Sequence, residues 1–421
     1  MSPVSFPKPP TLLYVRNCLL GMGILMLSLP PVSQAAVPVV TNSDVPADGL
    51  KKVQLEELWR IGGEEDEENL LGVIDRVLVD DDGNVYLLDI QLVEVQVFDP
   101  DGQYVQSLGK QGDGPGEVRN ARDVLFLPDG TVGLIQGFPG RIIKVDLAGL
   151  PAGELRPGGN DPSAGGFFAL RSAASVGDRL VLGGAKITRG ENSRTATNFI
   201  AAFDQDGTEG VRYLESVNVR DFGRMEISEK GDFFPGQGGW ALADDGRLYV
   251  APARNEYRIE VYRPDGVLER TITRKYESWK RTPVEAERAR EMMMPFRRRN
   301  RNAINLVMEP TERDILEIRL DRQGQLWVLP SRGIRQQDEG IHSTWDVFDS
   351  SGAFSRQVAI ACEGDGQKDA LFFPGGGLVV LVREHADAVF AFRGRGADNP
   401  EVEEDDADVR PLEVICYRIS P

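Results

Sequence analysis

The 421-residue chain carries 66 acidic and 48 basic side chains, a net charge of −18, with two histidines, His342 and His385, and three cysteines. Two histidines exclude a three-histidine metal site, and three thiols are too few for a cysteine-rich zinc cluster. So acidic a surface repels phosphate unless its positive charge is clustered, which argues against a nucleic-acid partner, and 46 glycines with 26 prolines exceed the usual share of roughly 12%, the mark of a turn-rich chain.

The first 35 residues read as a secretory signal peptide. Lys8 and Arg16 form a positive start, residues 18–29 (CLLGMGILMLSL) an apolar run, and residues 30–36 (PPVSQAA) a small-residue cleavage region. Twelve apolar residues fall short of the roughly 20 that span a bilayer, so no stable membrane insertion is expected once the signal is cut. Cys18 follows Val-Arg-Asn and lacks the small-residue box of a lipoprotein. The mature protein is therefore expected outside the cytoplasm, secreted or periplasmic, and monomeric. Cys362 and Cys416 are then its two thiols. They form either a disulfide, stabilising by roughly 4 kcal/mol through loop entropy, or two small buried apolar groups.

After a linker over residues 36–50, internal repetition dominates. Residues 77–108 (VLVDDDGNVYLLDIQLVEVQVFDPDGQYVQSL) hold four short apolar or alternating runs separated by Asp-Gly turns. Residues 124–155 repeat them, with Gly83 and Gly130, and again Gly102 and Gly149, 47 residues apart. Further copies follow through LRSAASVGDRLVLGG to NFIAAFDQDG, WALADDGRLYVAPARNEYRIEVYRPDG and ILEIRLDRQGQLWVLP, and a sixth begins at DALFFPGGGLVVLV. Four-stranded units joined by tight turns and repeated about every 40 residues predict a β-propeller over residues 51–421. The sixth unit lacks an outer strand, and KVQLEELWRIGG at residues 52–63 precedes the first unit as a strand without a blade. The expected fold is thus all-β, a six-bladed propeller of four-stranded blades, its ring closed by the N-terminal strand, with a small helical insertion.

The run LGKQGDGPGE at residues 108–117, the set Gly83, Tyr86 and Asp89, the turn FDPDG at 98–102 and WRIGGE at 59–64 resemble the blade signature of the NHL-type six-bladed propellers, and most of all the exported bacterial group. The resemblance covers blades 1 and 2 well and fades beyond them. It implies a binding scaffold more often than an enzyme. Enzymes of this fold include amidating lyases with histidine-bound zinc, from which this chain departs by its lack of histidines, and calcium-dependent lactonases.

Tight connections within blades alternate with long ones, and every long insertion falls in the class that lies on one face of the disc: residues 186–197, 216–238, 276–314, 331–343 and 394–410. Insertions gathered on one face mark a binding face. In the fourth-to-fifth crossover, a cap over residues 276–310, Thr282-Pro-Val-Glu285 spells a capping box with proline at the first helical position, so a helix is expected from there to Met294, ended by Pro295. Residues 274–301 carry ten basic against four acidic side chains. Trp279, Arg288, Arg297, Arg298 and Arg299 are its candidate binding residues, with Met292–Met294 and Phe296 as the side turned inward. Residues 394–410 form an acidic loop whose core, DNPEVEEDDAD, holds seven carboxylates available to pair with the cap.

Aligning inner strands on their turns places Arg76, Asp123, Arg171 and Glu317 at one level, with Trp240 one place later. Such a ring at the channel mouth either binds a polar ligand or closes the channel with its own salt bridges. Asp80-Asp81-Asp82 is explained by hairpin geometry better than by calcium, which needs a distant bidentate glutamate. No catalytic residues are assigned, no Gly-x-Ser-x-Gly elbow occurs, and no cofactor is required, calcium being the one considered. Two function classes follow: an exported module that recognises a protein, peptide or glycan through the insertion face, or a calcium-assisted hydrolase or lyase at the channel mouth with Asp123 and Glu317 as ligands or base.

Overall fold

The computed structural model describes residues 36–64, 66, 69, 71–158, 166–223, 226–298, 305–395 and 411–419. Blades 1 to 4 are separate sheets and blades 5 and 6 share one continuous eight-stranded sheet, the strands within each blade being antiparallel. Blade 1 is Ile74–Val79, Val85–Asp89, Glu94–Phe98 and Tyr104–Leu108; blade 2 is Ala121–Phe126, Val132–Gln136, Arg141–Val145 and Pro151–Leu155. Blade 3 is longer, with Phe167–Val176, Arg179–Arg189, Ser193–Phe203 and Glu209–Asp221. Blade 4 has Trp240–Leu242, Leu248–Val250, Arg258–Tyr262 and Leu268–Arg274, and blade 5 has Ile315–Leu320, Leu326–Pro330, Ser343–Phe348 and Phe354–Ala361. Blade 6 contributes Ala370–Gly375, Leu378–Arg383 and Glu413–Ile419. Second strands are largely buried because each blade is covered by a neighbour on either side. In blade 1, for instance, every residue of Val85–Asp89 is buried.

The residues of the blade signature each have a local task. Asp80 begins a turn in which its Oδ1 accepts the N–H groups of Asp82 and Asn84 at 3.0 and 2.8 Å, and its Oδ2 accepts the Tyr86 hydroxyl at 3.0 Å. Asp89, fully buried, accepts four backbone N–H groups, from Gly72, Val73, Gln91 and Leu92, and so fixes the entry into the blade and its next turn. Gly102 has φ 81°, and a Cβ there would stand 2.7 Å from Trp59 Cγ. A side chain at that position would meet both backbone strain and a collision.

Trp59 belongs to β2 (Leu50–Gly62), the strand that closes the ring. Its second half pairs antiparallel with Glu413–Ile419 as the outer strand of blade 6, and its first half runs parallel to the outer strand of blade 5. Trp59 is buried against blade 1 and stacks on Phe98 with ring centroids 6.2 Å apart. The last blade is thereby completed by the N-terminal strand, and two sheet edges disappear.

The stretch 36–50, expected as a linker, is part of the scaffold. β1 (Val39–Asn42) adds a parallel fifth strand to blade 4, and the Asn42 side chain donates to Thr273 and Gly352 carbonyls and accepts from the Phe354 N–H. Residues 186–197, expected as a loop, extend the second and third strands of blade 3 as a hairpin. Helix α1 (Pro283–Arg298) starts where the capping box sets it but continues through Pro295, one turn from its end, where a missing N–H costs a single hydrogen bond. A second helix, α2 (His385–Arg395), which the sequence reading did not foresee, occupies the long connection of blade 6. The acidic residues 398–408 lie outside the described residues.

The disulfide does not form: both cysteines are free. Cys416 faces the core between blades 6 and 1, whereas Cys362 packs in the cluster on the other side of that sheet, and burial pushes both thiols up to about 12.

Candidate functional site

The inner strands enclose a channel cavity of about 560 Å³, running from Gln237 and Gly238 at the insertion face to the tight turns at Asp244, Asp245 and Asp321–Gly324 on the other. Four of the five residues expected at its mouth line it. Arg76 Nε stands 3.4 Å from Asp123 Oδ1. Asp123 is fully buried and also accepts the N–H of Val124 and, with Oδ2, that of Ala173 in blade 3 at 2.9 Å. Trp240 in blade 4 donates Nε1 to Ser172 Oγ at 3.0 Å. Polar contacts thus tie the inner strands of blades 1 to 4 in sequence. Gln237 crosses to the opposite blade, donating to the Asp75 carbonyl at 3.2 Å, so the insertion-face end of the channel is bridged.

Arg171 is the exception. The register shifts between Leu170 and Ser172, so Ser172, not Arg171, is the neighbour of Asp123 and Trp240 in the ring. The first turn of blade 3 is shorter than those of its neighbours (Val176 pairs with Arg179, whereas Val79 pairs with Val85), which displaced the alignment. Arg171 lies in the bulge, exposed. Glu317 remains in the wall without a hydrogen bond or ion pair among the described residues. Burial pushes its carboxyl up, against the pull of Arg319, Arg76 and Arg313. Arg319 is pushed down to about 10 by burial and lies 3.8 Å over the Phe373 ring. Among the described residues no three His, Cys, Asp or Glu side chains converge as a metal site.

On the insertion face the cap is anchored from below. The capping box closes in both directions: Thr282 N–H to Glu285 Oε2 at 2.8 Å and Glu285 N–H to Thr282 Oγ1 at 3.2 Å. Glu285 also accepts Trp279 Nε1 and Arg335 Nε. Arg281, 5% exposed, donates to Glu229 at 2.7 and 2.9 Å and to Glu312 at 2.6 Å, and Arg254 meets the same Glu229. Much of the basic charge is therefore committed: Arg274 to the buried Asp346, Arg281 to Glu229, and Arg288 to Asp387 of α2 at 2.6 Å. Of the cap candidates, Trp279 is half-buried with Arg332 over its ring, and Arg288 joins the two helices. Arg297 and Arg298 belong to the last turn of α1, their side chains outside the described atoms, and Arg299 lies beyond the described residues. Met292 and Met293 are half-buried.

Sequence reasoning missed a second recess of about 410 Å³ on this face, between β2 at Leu50 and Lys52, the end of blade 4 at Arg274 and Tyr276, and the 331–341 loop at Arg332, Gln336 and Asp338. Its floor is rigid. Asp346 accepts Tyr257 Oη at 2.7 Å and Gln357 Nε2 at 2.8 Å, and the Arg274 guanidinium lies over Phe354, Tyr257 and Tyr276 at 4.7, 5.2 and 5.6 Å. Residues from three parts of the chain build this recess, and no local motif signals it.

The fold and the channel define a six-bladed β-propeller. A family model described as a 6-bladed beta-propeller matches residues 60–126. Similar solved structures include a Bacteroides fragilis protein described as exported (11% identity, 91% of this chain and 100% of that chain, TM-score 0.48). A streptogramin B lyase (10%, 86% and 100%, 0.40) and the calcium-binding protein regucalcin of Agrobacterium tumefaciens (12%, 88% and 96%, 0.41) are similar as well. No curated protein matches the sequence. Among the described residues no helix is long and apolar enough to cross a membrane.

Proposed function

We propose that the protein is an exported binding module that takes a protein, peptide or glycan ligand on its insertion face. The observation carrying this reading is the way that face is built. The extended blade 3 hairpin, the α1 crossover, the 331–341 loop and α2 depart from the blade repeat on one side only, and buried ion pairs anchor the crossover around a preformed polar recess. Loops held rigid before binding lose little freedom on binding. The calcium-assisted hydrolase reading would draw on Asp123, whose oxygens are engaged by two N–H groups and Arg76.

A thermal-shift screen of residues 36–421 against oligosaccharide and peptide panels, calcium and chelator separates the two. The binding reading expects a panel member to raise Tm, and the rise to vanish when residues 332–341 are replaced by a short Gly-Ser link. A calcium-dependent rise of several degrees that chelator reverses, with no panel response, overturns it.

A further inference from the structure

Blade 3 projects past the ring as a four-stranded sheet, and its outer part carries arginines in cross-strand register. Arg189 lies opposite Arg194, and Arg194 opposite Arg220. Residues directly opposite in antiparallel strands share a face, and neighbouring strands lie about 4.8 Å apart, so three guanidinium stems form a row about 10 Å long. Burial first, then the like charges of Arg220 and Arg189, hold the Arg194 guanidinium below the ordinary value.

Like charges placed directly opposite destabilise a sheet. Among the described residues the one ion pair these three make is Arg220 to Asp232 at 3.0 Å, and that carboxylate is shared with Asn218 and the Ser228 N–H. Arg189 is exposed and Arg194 half-buried. The row is linear and open, on a chain of net charge −18, and its spacing suits a linear polymer with an anionic group on each repeat better than a single small anion.

We propose that this arginine row binds an anionic polysaccharide, its guanidinium groups pairing with carboxylate or sulfate groups on successive sugar units. The assignment rests on the insertion-face reading and names a ligand class for it. Salt weakens the complex by counterion competition, and the acidic remainder of the protein orients the polymer along blade 3.

The test is the affinity of residues 36–421 for polygalacturonate, dextran sulfate and neutral dextran over a range of salt. The variants are Arg189→Gln/Arg194→Gln, Arg194→Lys, and Arg322→Gln on the opposite face. One or both anionic polymers bind and dextran does not; which of the two binds identifies the anionic group. The double variant weakens binding at least about tenfold and flattens the dependence of log K on log salt by about two, one per guanidinium. Its Tm stays the same or rises, whereas a merely structural role for these arginines would lower it. Arg194→Lys retains most binding, and Arg322→Gln retains all of it.

Absence of binding to both polymers at low salt overturns the proposal. So does a double variant that binds like the parent, or tighter binding to duplex DNA or anionic vesicles than to either polymer. If both polymers fail while a neutral oligosaccharide or peptide raises Tm through the 331–341 loop, this inference falls and the insertion-face reading stands.

Discussion

The two faces of the disc use their carboxylates in opposite ways. On the turn face Asp80, Asp99, Asp146, Asp204, Asp321 and Asp349 each accept the N–H groups two and four residues ahead, at 2.8–3.0 Å in every case. On the insertion face Glu229, Glu285, Glu312 and Asp346 meet arginines from distant parts of the chain. The first arrangement is local and lets the ring be built from one short repeat. The second ties together segments that share no repeat, and it turns insertions into a fixed surface. Acidity that looks uniform in the composition therefore does two jobs: it closes hairpins on one side and anchors loops on the other.

Substitutions sharpen this contrast in order of size. Glu229→Ala leaves Arg281 and Arg254, each 5% exposed, without their shared counter-charge, and is expected to cost about 3–5 kcal/mol in urea unfolding. Trp59→Ala, which opens the ring closure, is expected to cost a similar ~3–5 kcal/mol. The two differ in where the loss appears: the first raises amide exchange in residues 276–312, the second in blades 6 and 1.

Acid separates the faces by a different route. Burial alone would raise the Glu285 carboxyl, but the Thr282 N–H, Arg335 and Trp279 reverse that and hold it at about 2, against an ordinary 4.5. A group depressed in the folded state stabilises fully above its unfolded value and loses that contribution as pH falls through the folded one. The start of α1 should therefore loosen between pH 4.5 and 2, read as a change in Trp279 fluorescence that Glu285→Gln abolishes.

Smaller effects follow. Asp99→Ala removes two exposed turn bonds and is expected to cost about 1 kcal/mol, whereas Arg194→Gln relieves like-charge opposition and is expected to stabilise by a few tenths of a kcal/mol. A destabilising Arg194→Gln would mean that the row serves the fold.

The same division explains what the sequence made legible. The blades, the closing strand and the capping box are written in contacts between near neighbours or in a repeat, so Gly83, Gly102 and Thr282-Pro-Val-Glu285 announce them. The insertion face depends on pairs such as Arg281 with Glu229 and Arg274 with Asp346, 52 and 72 residues apart, and no spacing reports those. Arg171 shows the failure in a single residue. A turn shortened in blade 3 and a one-residue bulge took it out of the channel ring and left it without a cross-strand partner. Chain position also misjudged residues 36–50, whose hydrogen bonds to blades 4 and 5 form only once the ring exists.

The most direct measurement is amide hydrogen exchange on residues 36–421, with and without whichever panel compound or polymer raises Tm. Protection confined to residues 186–197, 276–298 and 331–342, with the turns at 80–84 and 321–325 unchanged, is the predicted result. Protection confined to the turns around the channel would contradict the assignment of binding to the insertion face.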